Sequence, residues 1–469
     1  MTQLWPYFEE LCNIPRPSKA ESKAVDYVLE FARKHALEVV PDTGGNVLLR
    51  KPGSIGREHH PTVALQSHLD MVCQKHPDLD FDFHTQSIPW YRDEDWILTR
   101  GTTLGADNGI GVAAMLAVLA DLSLQHPPLE ALFTIDEETG MTGAKSFPGG
   151  RLQAKVMLNL DTEDDREITI GCAGGVDVSG QASYPEESVS ASILWRLELA
   201  GLTGGHSGMD IHLGRANANK LMVRLLRAWP EARIHKLEGG GLRNAIPREA
   251  TAWVSLGSGD PSARLQEILA EWTREFASTD PNLRLTWQPE AQVGPVPVVG
   301  LDFQRRLLAA LSALPNGIYR LCPEMPGLVQ TSNNLACLKL EGGRFDAHCL
   351  CRGSLDSEKM DMAAAISSAL ELIPAQVEMS GHYPGWQPQA NSPLVQQMSS
   401  LYQKIFKEVP QVGACHAGLE CGILGQNYPD LTMVSFGPNI RGAHSPQERV
   451  QVSSVAKFWQ FLTALLEEL

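Results

Sequence analysis

Long apolar runs are missing from this chain. Across its 469 residues no stretch reaches the roughly 18 apolar residues that span a bilayer, so a helical membrane protein is not expected. The start, MTQLWPYFEE, has neither the basic nor the apolar region of a secretory signal. Nine cysteines include no CxxC pair, and Cys349 and Cys351, two apart, suit one face of a strand as buried thiols. An odd count without a disulfide framework points to a reducing cytoplasm. Basic residues are scarce too: 39 against 55 acidic residues give a net charge of −16. A surface that acidic repels phosphate backbones and anionic lipids, which argues against nucleic acid and membrane as partners. Internal repeats and low-complexity tracts are absent as well.

What is present has the balance of a globular protein, 43% hydrophobic and 20% charged. The length exceeds one ordinary core, so two domains are expected. Helical periodicity over Ser22–Ala36 and an apolar, Ala-rich run over Ile110–Leu122 read as helices. Between and after them, Asn46–Leu49, Thr62–Leu65, Leu129–Ile135 and Val156–Leu160 read as strands. This alternation predicts an α/β fold, with a mixed, largely parallel sheet flanked by helices. Ligands of such sheets bind beyond the carboxyl ends of the strands. After about Gly180 the pattern changes. Ile193–Leu199, Ala250–Leu256 and Leu283–Trp287 read as strands, and Asn217–Trp229 and Ala263–Phe276 as helices, of an α+β insert. A last α/β segment starts near Gly385 and ends in a helix over Val455–Leu469. The expected division is 1–186 and 386–469 for one domain, with 187–385 inserted into it.

Metal-ligand residue types recur just after the apolar runs. LQSHLDMV places His68 and Asp70 on one side of a strand end. A metal-bound imidazole gives its second N–H to a carboxylate, so His68 reads as a ligand and Asp70 as its orienter. RGTTLGADNGIG puts Asp107 in a Gly-rich turn before a helix, where an N-cap is the bland reading and a bridge between two cations the functional one. A phosphate cradle is excluded by the missing Lys and the wrong glycine spacing. FTIDEETGMTGA sets Asp136, Glu137 and Glu138 side by side. A cation would keep Glu138 ionised and leave Glu137 to take a proton. Asp136 either raises the pKa of that base or points away. VMLNLDTEDD ends a strand at Asp161, with Glu163, Asp164 and Asp165 read as solvated acids. GPNIRGAHSPQERV offers His444 in a Gly/Pro loop, and DLDFDFH reads as a half-buried strand with a wet face.

In order and combination these segments resemble the M20 di-metal peptidases, and within them the aminoacyl-histidine dipeptidases. The likeness also takes in GCAGG at Gly171–Gly175, GGHSG at Gly204–Gly208, GRANANKL, LRNAIPREA, YPGWQPQANSP and HAGLECG. The resemblance implies a catalytic domain with an inserted lid. It implies one metal on His68 and Asp161, a second on Glu138 and His444, and Asp107 bridging both, with a cis peptide to Asn108. It implies Glu137 as general base, His206 as stabiliser of the oxyanion, and Asn244 and Arg352 as holders of the substrate carboxylate. His416 and Glu420 lie in HAGLECG without an assigned role. The expected activity is hydrolysis of dipeptides with a free carboxylate, Xaa-His foremost, by a cytoplasmic homodimer joined through the lid. Two divalent ions are expected, Zn²⁺ first and Co²⁺ or Mn²⁺ as alternatives. The nearest alternatives are a tripeptidase, a carboxypeptidase or an N-acyl-amino-acid deacylase of the same family. A non-catalytic metal- or peptide-binding protein is the alternative of another class, and it would have no need of Glu137.

Overall fold

The structure, a computed structural model, describes residues 3–190, 193–256, 260–291 and 294–469. It divides into two compact units. The first comprises the chain up to Gly171 together with Pro388–Ala414 and Leu419–Leu469, and the second comprises Cys172–Gln387 with Cys415–Gly418.

The first unit is built on an eight-stranded sheet. From one edge the strands run Glu38–Val40, Val47–Lys51, Leu129–Thr134, Val63–His68, Val156–Asn159, Thr432–Ser435, Glu167–Cys172 and Gln411–Cys415. The middle four are mutually parallel, and antiparallel pairs flank them. Every residue of Val63–His68 and Leu129–Thr134 is buried, as expected of parallel strands covered on both faces. The Ala106–Ala120 helix is apolar all round and almost wholly buried. At Gly111 an added Cβ would lie 2.5 Å from Ser67 Oγ and 2.7 Å from the Leu160 carbonyl oxygen, so only glycine lets this helix sit on the strand ends. The Ser22–Lys34 helix buries Ala24, Val28, Phe31 and Ala32. It stops short of the expected Ala36, which turns the chain with φ +51.

A four-stranded antiparallel sheet completes this unit, in the order Ile440–Arg441, Arg449–Gln451, Trp96–Thr99, Trp90–Asp93. Its strands are too short to show periodicity in the sequence, yet its first hairpin carries His444. The DLDFDFH segment is not a strand. Phe81 is buried beside Phe83, and Asp82 accepts the His84 amide and the Thr85 hydroxyl, so local turn bonding has taken over from sheet pairing.

The second unit is a nine-stranded sheet running Arg284–Ala291, Ile193–Ala200, Ala250–Ser255, Arg233–Gly239, Val329–Glu341, Arg344–Gly353, Gly174–Ser183 and Gln376–Tyr383, with Gly317–Leu321 added on Val329–Glu341. All its pairings are antiparallel. The helices Ala218–Arg227, Leu301–Ala313 and Asp356–Glu371 contribute to one core with it, including Met222, Leu307, Ile366 and Phe345. Gly174–Ser183 pairs here, so the second unit starts before residue 187. The Gln288–Val298 stretch holds the end of one strand and the start of Val296–Val299; Gln292 and Val293 lie outside the described residues.

No helix among the described residues is long and apolar enough to cross a membrane. Phe133, with no exposed surface on a middle strand, tests the parallel core. Phe133→Ala is expected to cost about 3–5 kcal/mol, read as a lowered urea midpoint.

Candidate active site

His68 ends its strand with 1% of its surface exposed, and a buried imidazole needs partners on both nitrogens. Nδ1 lies 3.3 Å from Asp70 Oδ1, while Nε2 lies 3.2 Å from Asp107 Oδ1 and 3.4 Å from Asp161 Oδ1. Asp70 also accepts the Ser18 hydroxyl at 2.7 Å and the amides of Glu137 and Glu138 at 3.0 and 3.2 Å. One carboxylate therefore orients the imidazole and seats the turn that carries both glutamates. Burial works against its charge, but the bonds from His68, Ser18 and the Glu137 amide hold it at about 2.

Asp107 sits in the first turn of the Ala106–Ala120 helix with non-helical torsions, and its peptide to Asn108 is cis. Asn108 donates to the Leu160 carbonyl at 2.7 Å. His444, at φ +63 in the hairpin loop, sets Nε2 3.2 Å from Asp107 Oδ2 and 3.1 Å from Glu138 Oε2. Asp107 thus has one oxygen toward His68 and the other toward His444. His68, Asp107 and Glu138 offer ligand atoms within 4.8 Å of one another.

The charges here do not balance on their own. Burial pushes Asp161 up to about 6, with Asp107 adding to it. Burial and Asp107 raise Glu138. Glu137 is raised well above the carboxylate range by burial, with Glu138, Asp161 and Glu420 adding to it. Burial would lower His68, yet Asp161, Asp107 and Asp70 outweigh it and hold it well above its ordinary value. Hydrogen bonds to Asp107 and Glu138 carry His444 up to about 11. Glu138 Oε1 is buried and accepts no hydrogen bond, and buried Asp161 Oδ1 is met by His68 Nε2 at a long 3.4 Å. Under-satisfied carboxylate oxygens among imidazole nitrogens are the donor set of a divalent cation, which would hold the acids ionised and the imidazoles neutral.

Asp136 turns its carboxylate into its own turn and not toward a partner in the cluster. Its carboxylate accepts the hydroxyls of Thr139 and Thr142 within its own turn. Among the acids after Asp161, Glu163 is exposed, whereas Asp164 and Asp165 are not solvated free acids but pair with Arg441 at 2.8 Å and Lys457 at 3.3 Å. Glu420, in contrast, is a buried member of this unit. Its Oε2 accepts from Thr134 Oγ1 at 2.5 Å and Gln66 Nε2 at 2.6 Å, and Gln66 Oε1 accepts from Asn159 Nδ2 at 2.5 Å. Burial pushes Glu420 up to about 8. The available signal was the polar Gln66, Thr134 and Asn159 inside otherwise apolar strands.

His206, Asn244 and Arg352 belong to the second unit. His206 Nδ1 accepts the Met209 amide at 3.0 Å, which places the ring proton of the neutral form on Nε2. Arg352 is 4% exposed, donates to Tyr383 Oη at 3.1 Å, and sets Nη2 3.4 Å from His206 Nε2. The exposed Asn244 joins this cluster by its backbone, its carbonyl accepting the Ser207 amide at 2.7 Å. His416 is buried with Nε2 2.7 Å from Ser332 Oγ. Burial, then the charge of Arg352, lowers its pKa to about 3.

The sequence profile of Peptidase family M20/M25/M40 matches residues 64–468. Cytosol non-specific dipeptidase of Escherichia coli is 41% identical over 476 aligned positions, covering 99% of this chain and 97% of that one. The crystal structure of aminoacylhistidine dipeptidase from Vibrio alginolyticus superposes with a TM-score of 0.90 at 40% identity, covering 100% of this chain and 96% of that one. Aminopeptidase PepT from Bacillus cereus shares the fold, with a TM-score of 0.58 at 16% identity over 100% of this chain and 99% of that one.

Asp70→Asn would turn an amide N–H toward groups that already donate. It is expected to weaken metal binding 10–100-fold, measured by chelator competition. His416 gives a pH test. The unfolded residue takes up a proton near pH 6.5, whereas the folded one resists it until about 3. Its site therefore loses stability as pH falls from about 6.5 toward 3, by at most about 1.4 kcal/mol per pH unit. His416→Gln should flatten the slope of the urea midpoint between pH 4 and 6.5, and an unchanged slope would contradict a buried neutral imidazole.

Proposed function

The chain belongs to Peptidase family M20/M25/M40, and we propose that this peptide hydrolase is a metal-dependent dipeptidase cleaving substrates with a free C-terminal carboxylate, Xaa-His foremost. The observation that carries the reading is the convergence of His68, Asp107, Glu138, Asp161 and His444, with the buried Glu138 Oε1 left without a hydrogen bond.

His68 and Asp161 would hold one divalent ion, Glu138 and His444 the other, with Asp107 shared. Zn²⁺ suits these ligands best, and Co²⁺ or Mn²⁺ are alternatives. Bound ions would supply Lewis acidity, lowering the pKa of water and polarising the scissile carbonyl. Glu137 takes the proton of the attacking water and later passes it to the leaving amine. Its raised proton affinity, from burial and like charges, favours that role. Asp70 fixes the backbone of this base through the Glu137 amide. His206, with its proton on Nε2, donates to the developing oxyanion. Arg352 presents a planar fork suited to a carboxylate, and Asn244 is its assigned companion. Holding the carboxylate one residue beyond the scissile bond is what makes a dipeptide the substrate.

The two similar enzymes are described, respectively, as non-specific and as aminoacylhistidine dipeptidases, so strictness for C-terminal His is the open variable. A cytoplasmic location and a homodimer joined through the second unit complete the reading. A non-catalytic metal- or peptide-binding role is disfavoured because it leaves Glu137 without a task.

Glu137→Gln should retain its metal and lose 10²–10⁴-fold in kcat; near-normal turnover would remove Glu137 from the chemistry. On a panel of Xaa-His dipeptides, other dipeptides, a tripeptide and an acetylated amino acid, dipeptides should be cleaved fastest. Arg352→Gln should lower kcat/KM on them by about 10–100-fold, as loss of a charged hydrogen-bonding partner does. Preference for the acetylated amino acid would replace the dipeptidase reading with a deacylase.

A further inference from the structure

The turn that presents Asp107 is held by a carboxylate outside the ligand set. Glu448 is 2% exposed. Its Oε2 accepts the amides of Leu104 and Gly105 at 2.7 and 2.9 Å, and its Oε1 those of Ala106 and Asp107 at 2.8 and 3.2 Å. Consecutive backbone N–H groups at a helix start form an anion-binding concavity. Here the chain fills that concavity with its own side chain. Glu448 stands four residues after His444, and its amide donates to the Ser445 carbonyl at 3.1 Å. The clamp therefore ties the His444 loop to the Asp107 turn across more than 300 residues of sequence.

The same turn is gripped from its other side. Arg16, 2% exposed, donates to the carbonyls of Leu69 and Asp70 at 3.0 and 2.9 Å and to that of Gly105 at 2.5 Å. Gly105 thus gives its N–H to Glu448 and its C=O to Arg16. At φ +71, with Met71 Sδ 2.8 Å from where a Cβ would stand, no other residue fits easily. The end of the His68 strand, the Asp107 turn and the His444 loop are consequently linked by two buried charges of opposite sign. Neither charge points at the ligand oxygens.

We propose that Glu448 is a positioning residue for the metal centre, holding Asp107 and His444 at ligating separation before any ion arrives. This rests on the two-metal reading above. A carboxylate suits the task because all four of its hydrogen bonds are accepted ones; a carboxamide can accept on one oxygen only and turns N–H groups against two amides.

The test uses Co²⁺ as probe, titrated into the metal-free wild type and Glu448→Gln and followed by its visible absorption, with circular dichroism reporting the fold. Wild type should bind two ions. Glu448→Gln, folded, should bind both ions more weakly, because Asp107 is shared, and at least one of them by 10–100-fold. Identical two-step isotherms, even with a lowered melting temperature, would make Glu448 merely structural and overturn the proposal. Wild type binding fewer than two ions would overturn the two-metal reading itself, and this inference with it. Should the variant not fold, hydrogen exchange on metal-free wild type decides. Amides of Leu104–Asp107 as protected as in the Co²⁺-loaded protein support a preformed clamp, and exchange at open-loop rates overturns it.

Discussion

Repulsion among buried carboxylates is the constraint around which the first unit is organised. Asp107, Glu137, Glu138 and Asp161 share one space with His68 and His444, and Glu138 Oε1 accepts no hydrogen bond there. Burying charge without a partner is among the costliest things a fold can do. Divalent cations turn that cost into binding energy, because the groups that destabilise one another without the metal become its ligands. Glu137, the proposed base, keeps a high proton affinity because burial and neighbouring like charges raise it.

Such a site demands a rigid support, since ligands a fraction of an ångström adrift lose both affinity and chemistry. The parallel strands supply it. His68, the turn of Glu137 and Glu138, and Asp161 all lie at the carboxyl ends of adjacent, parallel middle strands. Asp70 couples the first two, bonding the imidazole on one side and two amides on the other. Gly111 lets the buried helix approach until its first turn delivers Asp107. Asp107 comes from the helix, and His444 from a hairpin of the four-stranded sheet.

The residues of the proposed ligand set stood out in the sequence because metal chemistry restricts residue types and because strand ends punctuate apolar runs. Asp70 was legible for the same reason, two residues from His68 on an alternating strand. Other features were not. DLDFDFH alternates like a strand, yet Asp82 takes its hydrogen-bond partners from a local turn. Asp136 reads as a third charge in the cluster, while its backbone at φ +54 turns the carboxylate onto two threonines. The Gly174–Ser183 strand gives no sign in its sequence of which sheet it joins, because pairing partners lie far along the chain. Glu420 and Glu448 resemble surface acids until packing encloses them.

By itself the sequence determined the composition of the site, the parallel character of the sheet that carries it, and the family likeness. These depend on residue type and short-range pattern, which one dimension preserves. The tertiary structure alone decided which acids meet water and which meet amides, how a hairpin carries His444 to Asp107, and why Gly105 and Gly111 stand where they do. Those outcomes depend on distances between segments hundreds of residues apart, and such distances exist only once the backbone has closed on itself.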